Sequence, residues 1–233
     1  MIYVLNFKSY LKNPKEYLTL IKKLEKINAN FWLAINPYFY LAIYPYINKS
    51  KFKIGLQNLG PNIDKPQTGE TVYNFYLINK ADFILLGHSE RFKLGENQKI
   101  IINKLRTLQD KRLKFFIFFS ENSFKIPKNF SDVKKETEKN LKNYLKFVKA
   151  QNYNKILFVY EPWWAISTES GLTPSKKFLE EFLKWYKNKF NFPILYGGSY
   201  NFLLKQQYKN LNFDGFVLGK SSTKIKELKK IVG

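Results

Sequence analysis

Eight short runs of apolar or β-branched residues recur along the chain at fairly even intervals: Ile2–Phe7, Phe31–Ile35, Lys53–Gln57, Asp82–Gly87, Lys114–Phe119, Ile156–Tyr160, Pro193–Tyr196 and Phe216–Leu218. Several of them, such as FILL, FFIFF and ILFVY, are apolar at nearly every position. A strand with one wet face alternates, so continuous apolarity implies burial on both faces, as in a parallel sheet covered by helices. The intervening stretches have helical spacing. Pro14 to Lys26 puts Tyr17, Leu20, Ile21 and Leu24 on one side, residues 132 to 149 do the same with Leu141, Leu145 and Val148, and Pro174 to Phe190 repeats the pattern. Thr173–Pro174 reads as a cap followed by proline at the first helical position. Eight strands alternating with helices in 233 residues predict an α/β fold of one closed (β/α)₈ barrel spanning 1–233, although alternation alone fits an open doubly wound sheet as well. The segment from Asn122 to Ser131 is the least readable.

The chain has no cysteine and one histidine, His88, which excludes disulfides, thiolate metal sites, cysteine nucleophiles and multi-histidine metal centres. Its 40 Lys+Arg against 18 Asp+Glu give a formal charge of +22, a balance that commonly accompanies nucleic-acid or membrane-surface binding. Here the lysines run through the whole length and form no block, which reads as a chain-wide bias with a solvated basic surface. Either way the field favours an anionic substrate. Ile27 to Asn48 carries no charge, yet Asn30, Asn36–Pro37 and Pro45 would break a membrane helix, so it reads as a buried strand, a turn and a short aromatic helix. With no secretory pattern at the start, the expectation is a soluble, cytoplasmic protein.

In a barrel of this kind chemistry sits where strands end at their C-terminal side. Strand 1 ends in Asn6-Phe7-Lys8, strand 4 in Gly87-His88-Ser89-Glu90-Arg91 and strand 6 in Tyr160-Glu161-Pro162-Trp163-Trp164. Strand 7 ends in Tyr196-Gly197-Gly198-Ser199 and strand 8 in Gly219-Lys220-Ser221. A carboxylate, an imidazole, an ammonium and two glycine-bearing turns would move a proton beside a carbonyl while holding a phosphate. Gly215 to Ser221 imitates a nucleotide P-loop, but its first glycine is one residue too close and its spacer is a strand.

With these residues in view, the chain resembles the triosephosphate isomerases from end to end. The resemblance rests on NFKSY at 6–10, LQN at 56–58, TGE at 68–70, GHSERF at 87–92, YEPWWAIST at 160–168, YGGS at 196–199 and DGFVLGKSS at 214–222. It implies interconversion of dihydroxyacetone phosphate and D-glyceraldehyde 3-phosphate in glycolysis and gluconeogenesis, with no cofactor and no metal. It makes Glu161 the base, His88 a neutral electrophile at a helix start, Lys8 the cation and Asn6 a neutral donor, the division of labour for which the family is known. Glu90 is expected to neutralise Lys8 from behind. Phosphate contacts fall to Asn6 and Lys8 and to the backbone amides of Ser167, Ser199, Gly219 and Lys220. Pro162 to Thr168 matches the family's mobile lid. The resemblance also implies a homodimer, with Thr68 reaching Asn6 of the neighbouring copy, and no specific nucleic acid or membrane partner.

The chain departs from the family at Ser167, where a glycine is usual, at Lys220, also usually glycine, and in the lid's ending, Thr168-Glu169-Ser170-Gly171. Phe118 stands where a small cysteine is common and Phe92 where an arginine is common. None of these is expected to touch the four central residues. The competing reading is a basic barrel that binds polyanions, its isomerase activity weakened by these substitutions.

Overall fold

The computed structural model describes residues 1–60, 68, 80–121, 125–166 and 172–233. Eight parallel strands close into a barrel in sequence order: β1 Ile2–Asn6, β2 Phe31–Ile35, β3 Lys53–Leu56, β4 Phe83–Leu86, β5 Lys114–Phe119, β6 Ile156–Tyr160, β7 Ile194–Tyr196 and β8 Gly215–Leu218. Closure is made by β1, which pairs with β2 through Val4–Trp32 and with β8 through Val4–Val217. The closed barrel decides against the doubly wound alternative.

The two-sided burial inferred from the apolar runs has a direct cause. In β5, Phe116 and Phe118 point into the barrel interior with Val4, Leu85, Leu157, Val159, Leu195 and Val217, while Phe115, Ile117 and Phe119 face the helices. At the N-terminal end of the interior, Trp32, Phe83 and Phe116 pack as three rings with centroids 5.2 to 5.4 Å apart. Burying each phenyl ring contributes about 1.5–3 kcal/mol relative to exposure. Gly55, beside Phe83 in the sheet, makes the space: a Cβ there would lie 2.5 Å from the Phe83 ring.

The described helices are α1 Pro14–Leu24, α2 Pro37–Ile43, α3 Ser89–Lys93, α4 Gln98–Leu108, α5 Phe130–Leu145, α6 Lys176–Lys189, α7 Phe202–Gln207 and α8 Ile225–Val232. Asparagine side chains at 13, 36, 97, 129 and 201 accept the first free N–H groups of five of them. The expected start of α6 at Thr173–Pro174 is corrected: Ser175 is the cap, accepting from Phe178 N–H, and Pro174 lies before the helix. Its carbonyl accepts the Tyr208 hydroxyl at 2.6 Å, a tertiary contact that holds the segment out of the helix. The charge-free stretch after Ile27 is β2 and α2, and among the described residues no helix is long and apolar enough to cross a membrane.

Candidate active site

Asn6, Lys8, His88, Glu161, Ser199, Gly219 and Lys220, which come from the ends of five strands, line one open cavity of about 230 Å³ at the C-terminal mouth of the barrel. Ser167 lies outside the described residues, as do Thr168 to Gly171 and the Gly69 and Glu70 that follow Thr68.

Lys8 follows β1 in a left-handed backbone conformation, φ 45°, which for a side chain other than glycine costs about 1–3 kcal/mol. Its surroundings hold it there. Its N–H donates to Asn6 Oδ1 at 3.3 Å, and Gln57 Nε2 donates to the Lys8 carbonyl at 3.1 Å and the Ala34 carbonyl at 3.0 Å. Gln57 was expected to end β3; the strand stops at Leu56 and frees this side chain to brace Lys8. The Lys8 ammonium meets Glu90 Oε1 at 2.6 Å, the contact that the family resemblance implied. Burial pulls the Glu90 carboxyl up, but Lys8 and His88 outweigh it and leave it below its ordinary value.

His88 is the N-cap of α3, and its Nδ1 accepts the Glu90 N–H at 3.2 Å. A ring nitrogen that accepts a bond carries no proton, so the imidazole proton sits on Nε2. Nε2 faces Glu161 Oε1 at 3.3 Å. Glu161 is 1 % exposed, and its Oε2 accepts Ser89 N–H at 2.8 Å. Burial pushes its carboxyl above the usual range, against the opposing influence of His88, Ser89 and Lys8. Among the described residues no lysine or arginine pairs with it.

Ser199 sends both its N–H (3.4 Å) and its hydroxyl (3.2 Å) to the Ala165 carbonyl, so in this conformation its amide is already engaged. Lys220 opens a 3₁₀ turn, Lys220–Thr223, with its side chain exposed and its φ not positive, which leaves its amide free of the strain a side chain there could have caused. The turn is tied down through Ser221, whose hydroxyl lies 3.1 Å from the Tyr200 carbonyl and 3.0 Å from Glu227 Oε1.

Two features escaped the sequence reading. The expectation that the departures touch none of the central residues is corrected at Phe118, whose ring centroid lies 5.0 Å from that of His88. A phenylalanine in the barrel interior reaches the upper layer because it is larger than the small residue usual there. Glu121, just past β5, is buried against Ser120, Tyr160 and Trp164, and burial raises its carboxyl. Its position at a strand end was the available signal. Among the described residues no group of three His, Cys, Asp or Glu stands together to hold a metal ion.

The family model for triosephosphate isomerase matches residues 1–233. The chain is 30% identical over 184 residues to the triosephosphate isomerase of Helicobacter pylori (strain P12), covering 78% of this chain and 76% of that protein. It is 30% identical over 201 residues to the triosephosphate isomerase of Buchnera aphidicola subsp. Baizongia pistaciae (strain Bp), covering 80% and 77%. For the triosephosphate isomerase of Helicobacter acinonychis (strain Sheeba) the figures are 29% over 184 residues, 78% and 76%.

Proposed function

The chain belongs to the triosephosphate isomerase family and is an isomerase, and from that premise we propose that it interconverts dihydroxyacetone phosphate and D-glyceraldehyde 3-phosphate with Glu161 as the only base. The observation that carries this reading is the pairing of a buried carboxylate without a cation and a neutral imidazole N–H, 3.3 Å apart, in the cavity that Lys8 also enters. Substrate separates that pair. Glu161 takes the hydrogen from the carbon next to the carbonyl, and Nε2–H of His88 donates to the oxygen that gathers charge as the enediolate forms. The same carboxyl then returns the proton to the neighbouring carbon, while the hydroxyl hydrogen passes from one oxygen to the other by way of His88 Nε2, so atoms and charge balance without a cofactor. The Lys8 ammonium and the Asn6 amide stabilise the enediolate and the phosphate. The phosphate rests on main-chain N–H groups of Ser199, Gly219 and Lys220, with Ser167 joining from outside the described residues. Binding takes the Ser199 amide from Ala165.

In this reading the enzyme is cytoplasmic, serves glycolysis and gluconeogenesis, and works as a homodimer. An open cavity of about 400 Å³ beside Asn6, Lys8 and Gln57 supports the last point. It is flanked by Tyr38 and Leu94, which are 82 % and 73 % exposed, and would receive Thr68 of a second copy. Thr68 itself is exposed. A stable, fully active monomer in sedimentation at low concentration would refute the dimer. The test of the function is turnover of D-glyceraldehyde 3-phosphate by the purified protein. Absent turnover, together with nucleic-acid binding that collapses as salt rises, would favour the polyanion-binding alternative.

A further inference from the structure

Phe92 stands where an arginine is common in the family the chain resembles, and Trp163 lies in the YEPWWAIST motif. The fold brings them together. Their ring centroids lie 4.9 Å apart with the planes inclined at 51°, a favourable tilted geometry for two aromatic faces. Trp163 is 6 % exposed, its main-chain N–H donates to Ser120 Oγ at 3.3 Å, and Phe92 is half-buried.

What gives the contact meaning is what each ring is attached to. Phe92 sits one helical turn after Ser89 on α3, so its Cα is fixed relative to the Ser89 amide. Trp163 sits two residues after Glu161, joined through the buried Pro162, whose ring restricts φ to the observed −64°. Glu161 Oε2 in turn accepts the Ser89 N–H at 2.8 Å. The four residues therefore form a closed circuit: Ser89 to Phe92 by one turn of helix, Phe92 to Trp163 by ring contact, Trp163 to Glu161 by a stiff linker, and Glu161 to Ser89 by hydrogen bond. The ring contact works beside that hydrogen bond, the His88 Nε2 contact to Glu161 Oε1 at 3.3 Å, the Trp163 N–H bond to Ser120 Oγ and the Glu161 N–H bond to the Phe119 carbonyl at 3.0 Å, and among these it is the link that joins the Trp163 side chain to α3.

We propose that the Phe92–Trp163 contact is a positioning clasp for the isomerisation: it sets where the Glu161 carboxylate stands relative to the Ser89 amide and the His88 imidazole. Neither ring touches substrate. Both act through Glu161. A displacement of the carboxylate by a fraction of an ångström lengthens the proton's path while leaving the phosphate end of the cavity untouched, so the clasp affects the chemical step and spares binding.

This proposal rests on the isomerase reading, and its test has one readout that needs no catalysis. Phe92→Ala and Trp163→Ala are compared with the unaltered protein by kcat, KM, competitive inhibition by inorganic phosphate, and exchange of the Ser89 amide hydrogen followed by NMR. The expected result is a kcat reduced roughly tenfold in each, with KM and phosphate inhibition within about twofold. Ser89 exchange accelerates in both, and the double variant is no worse than the poorer single one. Phe92→Leu and Trp163→Leu, which remove a ring but keep more apolar volume than alanine, carry the same test if an alanine variant fails to fold, with kcat falling about two- to threefold or more. Trp163→Phe, which keeps a ring, restores most of the rate. Unchanged kcat and Ser89 exchange in a folded variant overturn the clasp, and so does a joint loss of kcat, phosphate inhibition and thermal stability with additive effects in the double variant. An unaltered protein that fails to turn over triose phosphate refutes the functional reading instead, and the Ser89 exchange still decides the clasp.

Discussion

Glu96 and Glu161 are both almost fully buried, 5 % and 1 % exposed, and both bond to residues of the short helix that opens at Ser89. Their surroundings differ in one respect. Glu96 Oε1 collects Arg91 Nε at 2.8 Å, Lys104 Nζ at 2.9 Å and Asn58 Nδ2 at 2.8 Å. Burial alone would raise its carboxyl, but Lys104, Asn58 and Arg91 hold it below its ordinary value. Among the described residues Glu161 is in hydrogen-bond contact with neutral donors alone, Lys8 acts on it only from a distance, and burial wins. One glutamate is thereby a fixed anion that ties the segment after β3 to α3 and α4, and the other, the base of the proposed mechanism, has a reason to take a proton. Burial raises a carboxyl only where no paired cation offsets it, and what sets Glu161 apart from the likewise raised Glu121 is that it lines the cavity.

The comparison breaks most visibly at Glu161. Glu161→Gln keeps the shape and removes the basicity, and turnover should fall by about 10²–10⁴-fold, more if both proton transfers depend on it. Near-normal turnover would end the assignment. The corresponding break at the other glutamate is Lys104→Met, which strands Glu96 with Arg91 and Asn58. A denaturant titration should show a loss of about 3 kcal/mol, the low end for a broken buried pair because Arg91 remains, with turnover per folded molecule nearly unchanged. A stable but inactive variant would mean that the two regions do not divide as described.

A smaller effect appears in pH dependence. A base whose carboxyl is raised becomes protonated while the pH is still above the ordinary glutamate range, near 4.3, so the acid limb of kcat/KM should lie above that value. Glu96 runs the other way. Its lowered carboxyl contributes stability that is fully present above the unfolded value and is lost only as pH falls through the folded one. An acid limb for activity that coincides with acid unfolding would merge what the structure separates. The smallest effect belongs to Lys220, an exposed cation at the cavity rim. Lys220→Gly should leave KM within about twofold at moderate salt, and a several-fold rise at low salt would show that its ammonium reaches the phosphate.

A helix-covered parallel sheet was legible because FFIFF and ILFVY imply burial on both faces, its closure came only with the family resemblance, and the meeting of Asn6, Lys8, His88 and Glu161 in one cavity was legible because strand ends are where a barrel presents side chains. What supports them was not. Gln57 lies 49 residues from the Lys8 carbonyl it holds, and Lys104 lies 46 from Asn58. No local pattern announces such pairs. The start of α6 went wrong for the same reason: Thr173–Pro174 is a sound local signal, but Tyr208, far along the chain, claims the Pro174 carbonyl. Phe118 was legible as a departure but not as a neighbour of His88, because which layer of the barrel interior a ring reaches depends on its packing against the other strands.

The most direct measurement is a carbon-13 NMR titration of the glutamate carboxyls in the intact protein, with each signal assigned by its disappearance in Glu161→Gln and Glu96→Gln. Glu161 should titrate above the ordinary glutamate value and Glu96 below it. Two carboxyls titrating together, or Glu161 below Glu96, would contradict the claim that an unpaired burial site makes the base.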